Sequence, residues 1–148
     1  MIQNLHGHAL ERVTGTFSLF GVYAMGVFSN HDRGKMVGTL ATATLVEVED
    51  VTFLERVNKV MEIMYSVAQR TDLTVVGVAQ HQFEPKGATG VLLLSESHFC
   101  IHTWPELQKC TVDVHTCTSD RGLPIRVITL LREEIGGIVK RLEVIDRL

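Results

Sequence analysis

The sequence predicts an α+β fold: a two-layer α/β sandwich whose mostly antiparallel sheet carries two helices on one face. Two observations predict it. Apolar residues recur at helical spacing over residues 51–70 and 124–135. Strand-prone segments outnumber these helices, and the resulting order is β-α-β-β-β-β-α-β. A chain of 148 residues, 45% hydrophobic and 21% charged, is long enough to bury roughly two thirds of its unfolded surface in one domain.

The elements follow in order. Residues 1–36 read as an N-terminal extension, either extra strands or an arm. Within it, residues 16–28 are rich in aromatic and β-branched types, and residues 29–34 read as a turn. The domain proper spans 37–148. Its first strand lies within 36–49, where β-branched residues partly alternate. Asp50 and Thr52 are candidate caps for one amphipathic helix over 51–70, whose apolar stripe is Phe53, Leu54, Val57, Val60, Met61, Met64 and Val67. Strand character returns over 73–82, a loop follows at 83–87, and two further strands cross 90–94 and 99–104. Residues 109–117 alternate, with Asp113, His115 and Cys117 on one face and Val112, Val114 and Thr116 on the other. Pro124 opens a second helix with Ile125, Ile128, Leu131 and Ile135 as its stripe, Gly136 and Gly137 end it, and 138–145 form a last edge strand.

Composition removes several classes of function. A net charge of -3 with scattered lysines and arginines provides no basic field for nucleic acid. Cys100, Cys110 and Cys117 are an odd number without a C-x-x-C pair, which points to a reducing, cytoplasmic setting. Residues 13–31 lack Asp, Glu, Lys and Arg, yet Thr, Ser, Asn and glycines dilute them too far for a membrane span.

The informative stretch is 90–106, where an apolar strand runs into Ser95-Glu96-Ser97-His98 before a second strand stops at Pro105. In one unbroken strand His98, Cys100, His102 and Trp104 share a face, while Ser97, Phe99 and Ile101 take the other. For Ser97 and His102 to serve one site, a turn or bulge must fall near Glu96 to His98. His98, Cys100 and His102 have the alternation of metal ligands, but only Cys117 or His115 offers a fourth, and no metal is expected. Ser97 has no G-x-S-x-G elbow around it, although a serine hydroxyl near a histidine can attack the carbonyl of its own preceding peptide bond. Cys117, at the end of an alternating strand, reads by residue type as a small buried hydrophobe.

Glu96-Ser97-His98, Ile101-His102-Thr103-Trp104-Pro105-Glu106 and Val112-Asp113-Val114 with Thr116-Cys117 together resemble the prokaryotic type of S-adenosylmethionine decarboxylase, a pyruvoyl enzyme made as a self-cleaving proenzyme. His81-Gln82-Phe83 with Pro85, Gly87 and Gly90 is also similar, so the resemblance covers about residues 37 to 145. It implies cleavage between Glu96 and Ser97, with Ser97 becoming the pyruvoyl group that forms a Schiff base with substrate, so that no pyridoxal phosphate is needed. It implies a processing proton transfer by His102, a processing hydroxyl at Thr89 where the family usually has serine, and a proton donor at Cys117. Phe83, Trp104 and Glu106 are the implied substrate contacts, and a homodimer is the implied assembly.

The chain departs from the family pattern in places. Gly38-Thr39-Leu40 lacks the histidine of the usual G-x-H, His115 replaces an apolar or aromatic residue, and Thr118-Ser119 follows Cys117 in place of glycine. The expected activity is decarboxylation of S-adenosylmethionine for polyamine synthesis. Alternatives are a pyruvoyl-dependent arginine or ornithine decarboxylase, and a non-catalytic paralogue that binds or regulates an active enzyme.

Overall fold

The computed structural model describes residues 12–19, 22–29 and 37–147, with side chains described for 38–147. Strands β1 (Arg12–Leu19) and β2 (Val22–Ser29) pair antiparallel as a two-stranded sheet of their own within the N-terminal extension. The turn expected at 29–34 lies, beyond Ser29, outside the described residues.

Six antiparallel strands make the main sheet: β3 (Val37–Val46), β4 (Val75–Gln82), β5 (Ala88–Leu94), β6 (Ser97–Trp104), β7 (Lys109–Thr118) and β8 (Ile138–Arg147). Their spatial order is β4-β5-β6-β7-β3-β8, so the last strand is an edge, as expected, and the motif strands β6 and β7 are central. This α+β arrangement is the one predicted.

Register follows from burial. Phe99 and Ile101 on β6 and Val112 and Val114 on β7 are fully buried, each contributing about 1.5–3 kcal/mol, and a slip of one residue turns all of them to the other face. Gly90 shares that side, because a Cβ there would come within 2.8 Å of the sulfurs of Met61 and Met64. The helices supply Phe53, Leu54, Val60, Met64, Ile128 and Leu131 to the same single core. His98, Cys100, His102 and Trp104 therefore stand on the opposite face, half-buried.

The predicted helix over 51–70 is two helices, α1 (Val51–Glu55) and α2 (Val57–Arg70), broken at Arg56, whose backbone is extended at φ -123 and ψ 121. Asp50 caps the first by accepting from the Phe53 N–H at 2.9 Å. At the break, the side-chain amide of Gln82 from β4 replaces the lost helical bonds: its Oε1 accepts from Val57 N at 2.8 Å and its Nε2 donates to Glu55 O at 2.9 Å. The same amide donates to Gly87 O at 2.8 Å, which fastens the loop carrying Phe83 to the helix break. Helix α3 (Leu123–Ile135) ends where Gly136 and Gly137 take φ 71 and 94, and a Cβ on Gly137 would lie 2.8 Å from the Val46 carbonyl oxygen.

Candidate active site

Two groups of side chains stand on the helix-free side of the main sheet, one toward each end of β6. The first surrounds the Glu96–Ser97 peptide. Strands β5 and β6 join through a two-residue turn, Ser95-Glu96, with Leu94 opposite Ser97. A turn was expected near this point for reasons of parity. Ser97 takes φ 151, a value that L residues avoid, and its hydroxyl reaches the histidines despite sharing parity with buried Phe99. Ser97 Oγ lies 2.7 Å from His115 Nδ1 and 3.3 Å from His98 Nδ1. The carbonyl of Glu96 accepts from the backbone N–H of Cys117 at 2.9 Å, and Cys117 Sγ is 3.9 Å from His115 Nε2. Cys117 is exposed, so it is not the small buried hydrophobe its residue type suggests; Cys110 fills that description. His115 is pushed below the ordinary histidine range by partial burial, then by the charges of Arg147 and His98.

At the other end, Thr89 Oγ1 and His102 Nδ1 are 2.8 Å apart on adjacent strands, and His102 Nε2 lies 3.4 Å from Cys100 Sγ. A pocket of about 280 Å³ opens here between Phe83, Thr89, His102, Trp104 and Glu106. Phe83 leaves 47% of its surface exposed at the rim, with the His81 ring edge-on to it at a centroid distance of 4.7 Å. Lys109 Nζ sits 4.5 Å above the Trp104 ring, and Glu106 is exposed on the 3-10 turn Pro105–Leu107.

The sequence-predicted residues thus fall into two sets. Glu96, Ser97 and Cys117 meet, and Thr89, His102, Phe83, Trp104 and Glu106 meet. Ser97 and His102, five positions apart on one strand, are separated by about 16 Å of backbone. His98 does not join Cys100 and His102 as the alternation suggested; its ring packs edge-on against His115, with centroids 5.6 Å apart. Asp113 takes its place beside them, the three donor atoms falling within 4.8 Å of one another. Burial and the Asp113 carboxylate push the Cys100 thiol up to about 11. The contact between Ser97 and His115 escapes sequence reasoning, since it depends on the β6–β7 register that sets His98 opposite His115. Its one trace is that His115 shares parity with Cys117.

The family model described as S-adenosylmethionine decarboxylase matches residues 42–148. A protein of Prochlorococcus marinus named S-adenosylmethionine decarboxylase proenzyme is 46% identical over 72 residues, covering 49% of this chain and 57% of that relative. A namesake from Aquifex aeolicus is 43% identical over 83 residues, covering 56% and 61%. One from Thermosipho africanus is 37% identical over 99 residues, covering 67% and 74%. The chain therefore spans less than two thirds of the first two relatives. The crystal structure of adenosylmethionine decarboxylase from Aquifex aeolicus superposes with a TM-score of 0.66 at 34% identity, over 77% of this chain and 91% of that one. By sequence and by fold, this chain belongs to the S-adenosylmethionine decarboxylase family.

Proposed function

We propose that this chain is a self-processing decarboxylase that converts S-adenosylmethionine to its decarboxylated form for spermidine synthesis, with a pyruvoyl group made from its own Ser97. The observation that carries this reading is the geometry of the Glu96–Ser97 peptide. A hydroxyl oxygen sits 2.7 Å from an imidazole, and the carbonyl it would attack is polarised by an N–H at 2.9 Å. The φ of 151 at Ser97 stores strain, about 1–3 kcal/mol for such a residue, that cleavage relieves.

Attack of Ser97 Oγ on the Glu96 carbonyl forms an ester and frees the Ser97 amine. Removal of the Ser97 α-proton then expels the Glu96 carboxylate from Cβ, and water replaces the nitrogen as ammonia leaves. Fragments 1–96 and 97–148 result. His102 is assigned the α-proton, with its ring held by Thr89. A pyruvoyl group at position 97 supplies a ketone that draws off electrons as carbon dioxide leaves an α-amino acid. Beside Ser97, exposed Cys117 suits that group by returning a proton to the substrate α-carbon; in the pocket at the other end of β6, Phe83 stacks on adenine, Trp104 forms a wall and Glu106 accepts from the ribose hydroxyls.

One copy does not unite Ser97 with His102. This reading takes the assembly to be a homodimer, in which the Ser97 of one copy and the His102 pocket of the other form each site. No helix among the described residues is long and apolar enough to cross a membrane, and the free thiols of Cys100, Cys110 and Cys117 suit the cytoplasm. The partner is a small molecule rather than nucleic acid, in keeping with the net charge of -3.

Carbon dioxide release from carboxyl-labelled S-adenosylmethionine, arginine and ornithine tests the activity. Release from S-adenosylmethionine alone is expected. Turnover of arginine or ornithine without it would overturn the substrate assignment. Ser97→Ala is expected to remain one 16.5 kDa chain without turnover. A wild-type chain that also stays intact and inactive would favour a non-catalytic binding partner.

A further inference from the structure

Resting on the self-cleavage reading above, we infer that His115 is the base that takes the Ser97 hydroxyl proton as Oγ attacks the Glu96 carbonyl. Two imidazoles reach Ser97 Oγ. His115 Nδ1 at 2.7 Å is at full hydrogen-bonding distance, whereas His98 Nδ1 at 3.3 Å is at its outer margin. The His115 ring is also held in place. It lies beside Gly38, where a Cβ would come within 2.7 Å of Nε2, so the glycine of the neighbouring strand provides the space that the ring occupies. Nε2 faces Cys117 Sγ at 3.9 Å. A neutral ring protonated at Nε2 presents its Nδ1 lone pair to the serine hydroxyl, the tautomer that base catalysis needs.

The charged and titratable neighbours favour that neutral ring. His98 from β6 and Arg147 from β8 oppose a positive charge on His115, as does partial burial. The step balances. The Oγ–C bond forms as the hydroxyl proton passes to Nδ1, the Cys117 N–H holds the oxyanion, and Nδ1 returns the proton to Ser97 N as the C–N bond breaks. His115 thus serves the acyl shift and His102 the later elimination, so one histidine is not asked to act at both ends of β6.

The test is the time course of cleavage of the freshly synthesised full chain across a pH series, read by gel and intact mass. The proteins are wild type, His115→Gln, His98→Gln, and His115→Ala with and without added imidazole, each checked for native circular dichroism. His115→Gln is expected to cleave about 10²–10⁴-fold more slowly, with imidazole accelerating His115→Ala. Because the free base is the active form and its pKa is lowered, the wild-type rate is expected to fall only below the ordinary histidine range, and this acid limb is expected to be absent from the residual rate of His115→Gln. A folded His115→Gln that cleaves at the wild-type rate, or loss of the acid limb in His98→Gln and not in His115→Gln, would overturn the assignment while leaving self-cleavage standing. A folded His115→Ala that is slow and unmoved by imidazole also overturns it. Failure of the wild type to cleave removes both readings together.

Discussion

Cys117 offers two different atoms to the site: a backbone N–H on the Glu96 carbonyl and a thiol near His115. Substitution by alanine separates them, because it keeps the N–H and deletes the sulfur. Cys117→Ala is therefore expected to self-cleave at close to the wild-type rate while carbon dioxide release falls by about 10²–10⁴-fold. Gel densitometry and turnover on one preparation check this, and an equally active variant would remove Cys117 as proton donor and leave His115 as the next candidate. At this scale the sequence was informative about residue types that are rare and closely spaced. Ser97, His102 and Cys117 stand in a long motif and become candidates through it. The pairing of Ser97 with His115 was not, since 18 positions separate the two and only the hydrogen-bond register of adjacent strands joins them.

Among the elements, the break between α1 and α2 is where local structure depends on an interaction far along the chain. Gln82 satisfies one N–H and one carbonyl that a continuous helix would have paired internally, and it binds the Phe83 loop with the same amide. Gln82→Ala leaves both backbone groups without this partner, a loss on the order of 2–4 kcal/mol. Urea denaturation, measured in the Ser97→Ala background so that one intact chain unfolds, is expected to show it. A change below about 0.5 kcal/mol, the usual range for surface substitutions, would contradict the pinning role. Periodicity hid this break, because Leu54, Val57 and Met61 continue the apolar stripe across Arg56 and no proline or glycine interrupts residues 51–70. The end of α3 was legible for the opposite reason: Gly136 and Gly137 mark it by residue type, and the structure uses them at positive φ.

For the molecule as a whole, the strand count and two helical stripes were enough to predict a mostly antiparallel sheet with helices on one face, because burial alternates along the central strands β5, β6 and β7. That the expected site residues fall into two groups, one toward each end of β6, was not legible, since strand order and register decide which residues face each other. It has a consequence for assembly: if each site draws Ser97 from one copy and His102 from the other, two defective chains can repair one another. Ser97→Ala and His102→Ala, co-expressed with different tags, are expected to yield cleavage of the His102→Ala chain well above its level alone, and light scattering is expected to give a dimer. A monomer at micromolar concentration, or no complementation in demonstrated mixed dimers, would contradict composite sites. The central claim, that the chain cuts itself before Ser97 and converts that serine to a ketone, is tested most directly by the mass of the purified wild-type protein. The account predicts fragments 1–96 and 97–148, the second about 17 Da lighter than a peptide beginning with serine because the amine nitrogen has been lost. A single intact chain, a cut elsewhere, or a 97–148 fragment that retains its N-terminal serine would contradict it.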